Sequence, residues 1–142
     1  MHERESILTT MLVEDNATFR EAVWDDLLSR CPFMKVSEAK DGEEARVRFF
    51  SDFLNLVFMD ISLPGQNGIA LAKEIKALYR DLIVVMLTGY SLDVYRKAAF
   101  AAGANGFIDK GSADLAAQIL AVVNCLHAAK EAGRSKPGCL LA

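Results

Sequence analysis

Five residues, far apart along the chain, are of types that could do chemistry together. Glu14 and Asp15 follow an apolar run that ends at Val13, Asp60 follows LNLVFM, Thr88 follows LIVVML, and Lys110 follows the short run Gly106–Ile108. Carboxylates that are packed together repel one another, so they either raise a pKa or collect a cation. Oxygen-only ligation by a few carboxylates, with water completing the shell, suits Mg2+, whereas zinc would want a nearby His or Cys. His2 and His127 lie far from these positions in the sequence. A lysine ammonium and a threonine hydroxyl beside such a cation can hold the oxygens of an anion, and a phosphoryl group fits that role best. Each residue also has a plainer use. Asp15 stands just before Asn16 and a helical pattern, where it would cap; Thr88 suits a turn and Lys110 a solvated loop. The signal is their joint placement.

For these side chains to meet, the strands that precede them must be neighbours in one sheet. The apolar pattern alternates between short β-rich runs and longer helix-period segments, which is the sequence form of a parallel sheet built from βα units. Strands are expected at Ile7–Val13, Lys35–Ala39, Leu54–Met59, Leu82–Leu87 and Gly106–Ile108. The third and fourth are nearly continuous apolar runs, as in strands covered on both faces. Phe19, Val23 and Leu27 recur at helical spacing, as do Leu115, Ile119, Val123 and Leu126. Asp41 with Glu44 resembles a capping box, and Ser91 and Ser112 each stand where an N-cap would. Open parallel sheets bind ligands beyond the carboxyl ends of their strands, where all five chemical residues fall.

Composition narrows the classes. At 142 residues, with 52% hydrophobic and 25% charged residues, the chain can bury a core and reads as one domain. The expected division is an extension over residues 1–6, the domain over 7–130, and a tail or linker over 131–142, where Gly133, Pro137 and Gly138 break any pattern. The net charge of −3 argues against direct nucleic acid binding through overall positive charge. No apolar run is long enough for a bilayer span and no signal peptide is visible, so no membrane role and a cytoplasmic location are expected. Cys31, Cys125 and Cys139 lack C-x-x-C spacing and are expected to be ordinary thiols. The final Cys139-Leu140-Leu141-Ala142 formally matches a prenylation box, which is read as coincidence.

From about Ile7 to Ala129 the chain resembles the receiver domains of two-component response regulators. The resemblance is carried by Glu14-Asp15, by Met59-Asp60-Ile61-Ser62-Leu63-Pro64-Gly65-Gln66-Asn67-Gly68, by Leu87-Thr88-Gly89, and by the stretch from Gly103 to Lys110. It implies a CheY-like, doubly wound (βα)5 α/β domain with flavodoxin-like strand order 2-1-3-4-5. It further implies that Asp60 accepts a phosphoryl group from a sensor histidine kinase or phosphotransfer protein. Mg2+ would be held by Glu14, Asp15, Asp60 and the backbone carbonyl of Ser62. Lys110 would offset phosphoryl charge, and Thr88 with Phe107 would form the switch. Phe107 also has a plainer reading, as a core strand residue, and Phe19 and Val23, on a helix where partners dock in this family, read equally as core packing.

Two features depart from common receiver patterns. Gly111 follows Lys110 where proline is frequent, so no cis peptide and a looser loop are expected. The resemblance further implies that Ser62 and Tyr90 occupy the positions that tune access of hydrolytic water in this family, where the bulk of Tyr90 suggests a longer-lived phosphoryl group. Leu92, Val94 and Tyr95 fall on the output side, where an output partner or an effector domain would be engaged and a homodimer could form. Two competing readings remain: a receiver-like interaction module that is not phosphorylated, and a haloacid-dehalogenase-type phosphatase. The latter normally has a second acid two residues after its nucleophile, where this chain has Ser62.

Overall fold

The computed structural model describes residues 7–89 and 93–134. The chain runs β1 (Leu8–Val13), α1 (Ala17–Arg30), β2 (Met34–Ala39), α2 (Gly42–Ser51) and β3 (Leu56–Met59). A two-residue pair, β4 (Ser62–Leu63) and β5 (Gln66–Asn67), then precedes α3 (Gly68–Leu78), β6 (Ile83–Thr88), α4 (Asp93–Ala101), β7 (Gly106–Asp109) and α5 (Leu115–Glu131). The main sheet has five parallel strands in the order β2-β1-β3-β6-β7. With the small β4-β5 hairpin set aside, this is the expected 2-1-3-4-5 order.

Alternation along the strands sorts the core into two layers. Met11, Val13, Val57, Met59, Val84 and Met86 pack with Ala45, Phe49, Leu71 and Ile75 on the face of α2, α3 and α4. Leu8, Leu12, Leu56, Phe58, Val85 and Leu87 pack with Val23, Trp24, Leu27, Ile119 and Val123 on the face of α1 and α5. Strands covered on both faces explain the continuous apolar runs.

Local signals set the boundaries. Asn16 caps α1 through its side chain, which accepts the Phe19 N–H at 3.0 Å, so capping falls to Asn16 and not to Asp15. Asp41 accepts the Glu44 N–H at 2.8 Å, and Glu44 reaches back to the Lys40 N–H rather than to that of Asp41. At α5 the expected Ser112 cap fails: the helix begins at Leu115 with Asp114 at the cap position, and Ser112 lies in the preceding turn, its N–H donating to the Asp109 carbonyl at 3.1 Å. The third strand starts two residues later than expected. At Asn55 the backbone N–H still donates to the Thr9 carbonyl at 2.9 Å, but the return bond is made by the side chain, whose Oδ1 accepts the Thr9 N–H at 2.9 Å.

Cys31 is a buried free thiol, but Cys125 is disulfide-bonded, against the expectation of ordinary thiols throughout. Among the described residues no helix is long and apolar enough to cross a membrane. Tyr90, Ser91 and Leu92 lie outside the described residues, as do 1–6 and 135–142, including the Cys139–Ala142 stretch.

Candidate functional site at the carboxyl ends of the strands

The parallel order puts β1 between β2 and β3, and β6 between β3 and β7, so the residues leaving β1, β3, β6 and β7 emerge side by side. Carboxylate oxygens of Glu14, Asp15 and Asp60 all lie within 4.8 Å of one another. Glu14 and Asp60 are buried, at 2% and 6% exposure, while Asp15 is exposed. Two buried acids beside a third are stable only with a cation or a proton among them. Here Lys110 supplies the charge: its Nζ donates to Glu14 Oε1 at 2.5 Å and to Asp60 Oδ2 at 2.9 Å.

The backbone around the cluster is fixed from several directions. Ser62 N–H donates to Asp60 Oδ1 at 3.1 Å, and Asn16 N–H donates to Glu14 Oε2 at 3.1 Å. Arg20, on α1, donates to the Glu14 carbonyl at 2.6 Å and pairs with Glu38 on β2 at 3.1 Å, which ties the acidic loop to the sheet. Thr88 is fully buried and its carbonyl accepts the Lys110 N–H at 2.9 Å. In the loop after Lys110, Asp109 Oδ1 accepts the Gly111 N–H at 2.8 Å, a bond that proline would have removed. No cis peptide occurs among the described residues.

Glycine supports Asp60 from below. The β4-β5 hairpin turns at Pro64-Gly65, where Gly65 has φ of 72°, and returns the chain so that Gly68 N–H donates to the Ile61 carbonyl at 2.7 Å. A Cβ at Gly68 would overlap the Asp60 carbonyl oxygen. Only glycine permits that approach.

Burial pushes the Glu14 carboxyl above its ordinary range, and hydrogen bonds from Lys110 and Asn16 reduce the rise without cancelling it. For Lys110 burial works in the opposite sense, against the charge, but hydrogen bonds to Glu14 and Asp60 outweigh it and raise its pKa. The ammonium therefore stays protonated and acts as the counter-charge of the acids. Sequence reasoning expected Lys110 to face an anion, whereas here it bridges the carboxylates such an anion would join.

The structure thus brings together Glu14, Asp15, Asp60 and Lys110, and sets Ser62 and Thr88 beside them through backbone hydrogen bonds. Phe107 is half-buried against the α2–α4 layer, with the Arg96 guanidinium 5.8 Å from its ring centroid. Sequence reasoning missed Arg20, whose role depends on a backbone carbonyl, and saw Gly68 only as the end of a motif, not as a close approach to the Asp60 backbone. It also placed Phe19 on a docking helix without foreseeing that Lys110 Nζ lies 4.6 Å from its ring centroid.

A doubly wound sheet with acids and one lysine at its carboxyl edge defines a signalling receiver, and family comparison agrees. The response regulator receiver domain model matches residues 10–123, and the chain belongs to that family, as a CheY-like member of two-component signalling. It is similar to the chemotaxis protein CheY of Bacillus subtilis (strain 168), 32% identical over 100 residues that cover 70% of this chain and 83% of CheY. It spans 27% to 49% of the length of several other curated relatives. A CheY-like receiver domain from Methanospirillum hungatei JF-1 shares the fold, with TM-score 0.80 at 22% identity over 90% of this chain and 99% of that one. The Thermotoga maritima response regulator TrrA, solved in complex with Mg(2+)-BeF, has TM-score 0.73 at 29% identity over 84% of this chain and 99% of its own.

Proposed function

We propose that residues 7–130 form a cytoplasmic receiver unit that takes a phosphoryl group onto Asp60 from a sensor histidine kinase or phosphotransfer protein. The observation that carries this reading is the meeting of Glu14, Asp15 and Asp60 oxygens within 4.8 Å beside the Lys110 ammonium. An all-oxygen donor set of this charge fits Mg2+, with Glu14, Asp15, Asp60 and the Ser62 carbonyl as the protein ligands. When bound, the metal supplies positive charge to the phosphoryl oxygens during transfer. The Mg(2+)-BeF complex of the relative TrrA supports the assignment.

In the transfer itself an Asp60 carboxylate oxygen attacks phosphorus, the O–P bond forms, and the P–N bond to the donor imidazole breaks. The electron pair leaves with the imidazole, which takes a proton from solvent. The product is an acyl phosphate, so the chain catalyses only its own phosphorylation and dephosphorylation. Lys110 exchanges its bond to Asp60 Oδ2 for one to a phosphoryl oxygen, which releases no buried charge because the new partner is also anionic. Thr88 follows the phosphoryl group, Phe107 turns inward, and the surface of α4, β7 and α5 changes for an output partner or effector domain. Ser62 and Tyr90 tune the access of hydrolytic water. The population shift is bounded by how differently the two states bind the added group.

The test is incubation with acetyl phosphate and Mg2+, followed by intact mass measurement. The expected result is a labile mass gain that needs Mg2+ and is absent in Asp60→Asn. Steady hydrolysis of phosphate esters would instead indicate a phosphatase, and no response in either protein would indicate an interaction module.

A further inference from the structure

We infer that Phe19 is a positioning residue for this chemistry, acting through Lys110; the inference rests on Asp60 being the phosphoacceptor. A lysine ammonium has three N–H donors and a compact charge on a flexible stem. Two of those donors are directed to Glu14 and Asp60. The Phe19 ring, its centroid 4.6 Å from Nζ, stands within the range at which an aromatic face attracts a cation. It therefore offers the ammonium an electrostatic partner that competes for no oxygen.

The ring is itself tied to the acidic loop. Phe19 lies in the first turn of α1, half-buried, and its N–H is bound to Asn16 Oδ1 at 3.0 Å. Asn16 in turn donates its own N–H to Glu14 Oε2. One short stretch thus holds both a carboxylate that Lys110 pairs with and the ring that limits where the lysine can swing. Transfer requires the ammonium to leave Asp60 Oδ2 for a phosphoryl oxygen while remaining in the site. A wall that attracts charge without a fixed hydrogen-bond direction allows that shift and restricts escape into water. Phe19 also packs against the core layer of α1 and α5, but it makes no bond to the metal-ligand carboxylates, so its influence on the chemistry should pass through Lys110.

Two readings test this. In the first, metal-free protein is unfolded in urea as a double-mutant cycle of Phe19→Leu and Lys110→Met, with Phe19→Met as a second apolar replacement. Loss of the ring should lower the folding constant about fivefold more when Lys110 is present than when it is Met, about 1 kcal/mol of coupling. In the second, acetyl phosphate should label Asp60 about fivefold more slowly in Phe19→Leu and within twofold of the parent rate in Phe19→Tyr. Mg2+ affinity by calorimetry should be unchanged in both. Equal losses with and without Lys110, for both Leu and Met, would overturn the inference, as would a Leu variant that labels at the parent rate. A parent protein that takes no label at Asp60 would instead overturn the phosphoacceptor assignment, while the urea cycle would still report on the contact.

Discussion

The two ends of the sheet both use half-buried lysines, and they use them for opposite purposes. At the carboxyl end Lys110 bridges two buried carboxylates, Glu14 and Asp60. At the amino end Lys76 donates to the carbonyls of Arg80 and Leu82, at 3.0 and 2.7 Å, and to Asn105 Oδ1 at 3.1 Å. Lys130 likewise donates to the Ile7 carbonyl and to Asn55 Oδ1. Amide oxygens are neutral and belong to the strand starts, so those lysines act as fixed clamps. Carboxylates compete for every cation available, so Lys110 occupies a place that a metal and a phosphoryl group can rearrange. The lesson is that the same side chain is structural or functional according to whether its acceptors carry charge.

The largest effect on stability should come from Lys110→Met. It leaves Glu14 and Asp60 buried without their counter-charge, which should cost about 3 kcal/mol in urea unfolding with EDTA. Saturating Mg2+ should recover part of that loss; a loss that Mg2+ leaves untouched would break the contrast between the two ends. Gly68→Ala comes next. The new Cβ presses on the Asp60 carbonyl, a backbone atom that cannot turn aside, so about 2 kcal/mol of stability and a clear fall in the rate of Asp60 labelling are expected. Lys76→Met should be the mildest. It removes a charged donor from several carbonyls at about 1–2 kcal/mol, with Mg2+ affinity by calorimetry unchanged. A shift in Mg2+ affinity there would show that the amino end also tunes the site.

Much of this contrast was legible in the sequence at the carboxyl end and little of it at the amino end. Glu14, Asp60 and Lys110 stand out because charged residues directly after apolar strands are costly to bury and need a reason. The strand order came from resemblance rather than periodicity, since alternation fixes which face a residue takes but not which strand lies beside which. Lys76 and Lys130 look like ordinary solvated charges on helices until Asn105 and Asn55 are seen beneath them. Gly68 was hidden for a related reason: its role is a close approach to the Asp60 backbone, and backbone atoms leave no mark in a side-chain pattern. Ser112 failed as a cap because any serine before an apolar stripe looks alike until the turn at Asp109 is known.

The most direct measurement is borohydride reduction of the protein after brief exposure to acetyl phosphate and Mg2+, followed by peptide mapping of the whole chain, with Asp15 and Asp60 on separate peptides. Hydride converts an aspartyl phosphate to homoserine, so the prediction is reduction at Asp60 alone, absent when Mg2+ is withheld. Homoserine at Asp15 or elsewhere, or none under conditions where the folded protein binds Mg2+, would contradict the account.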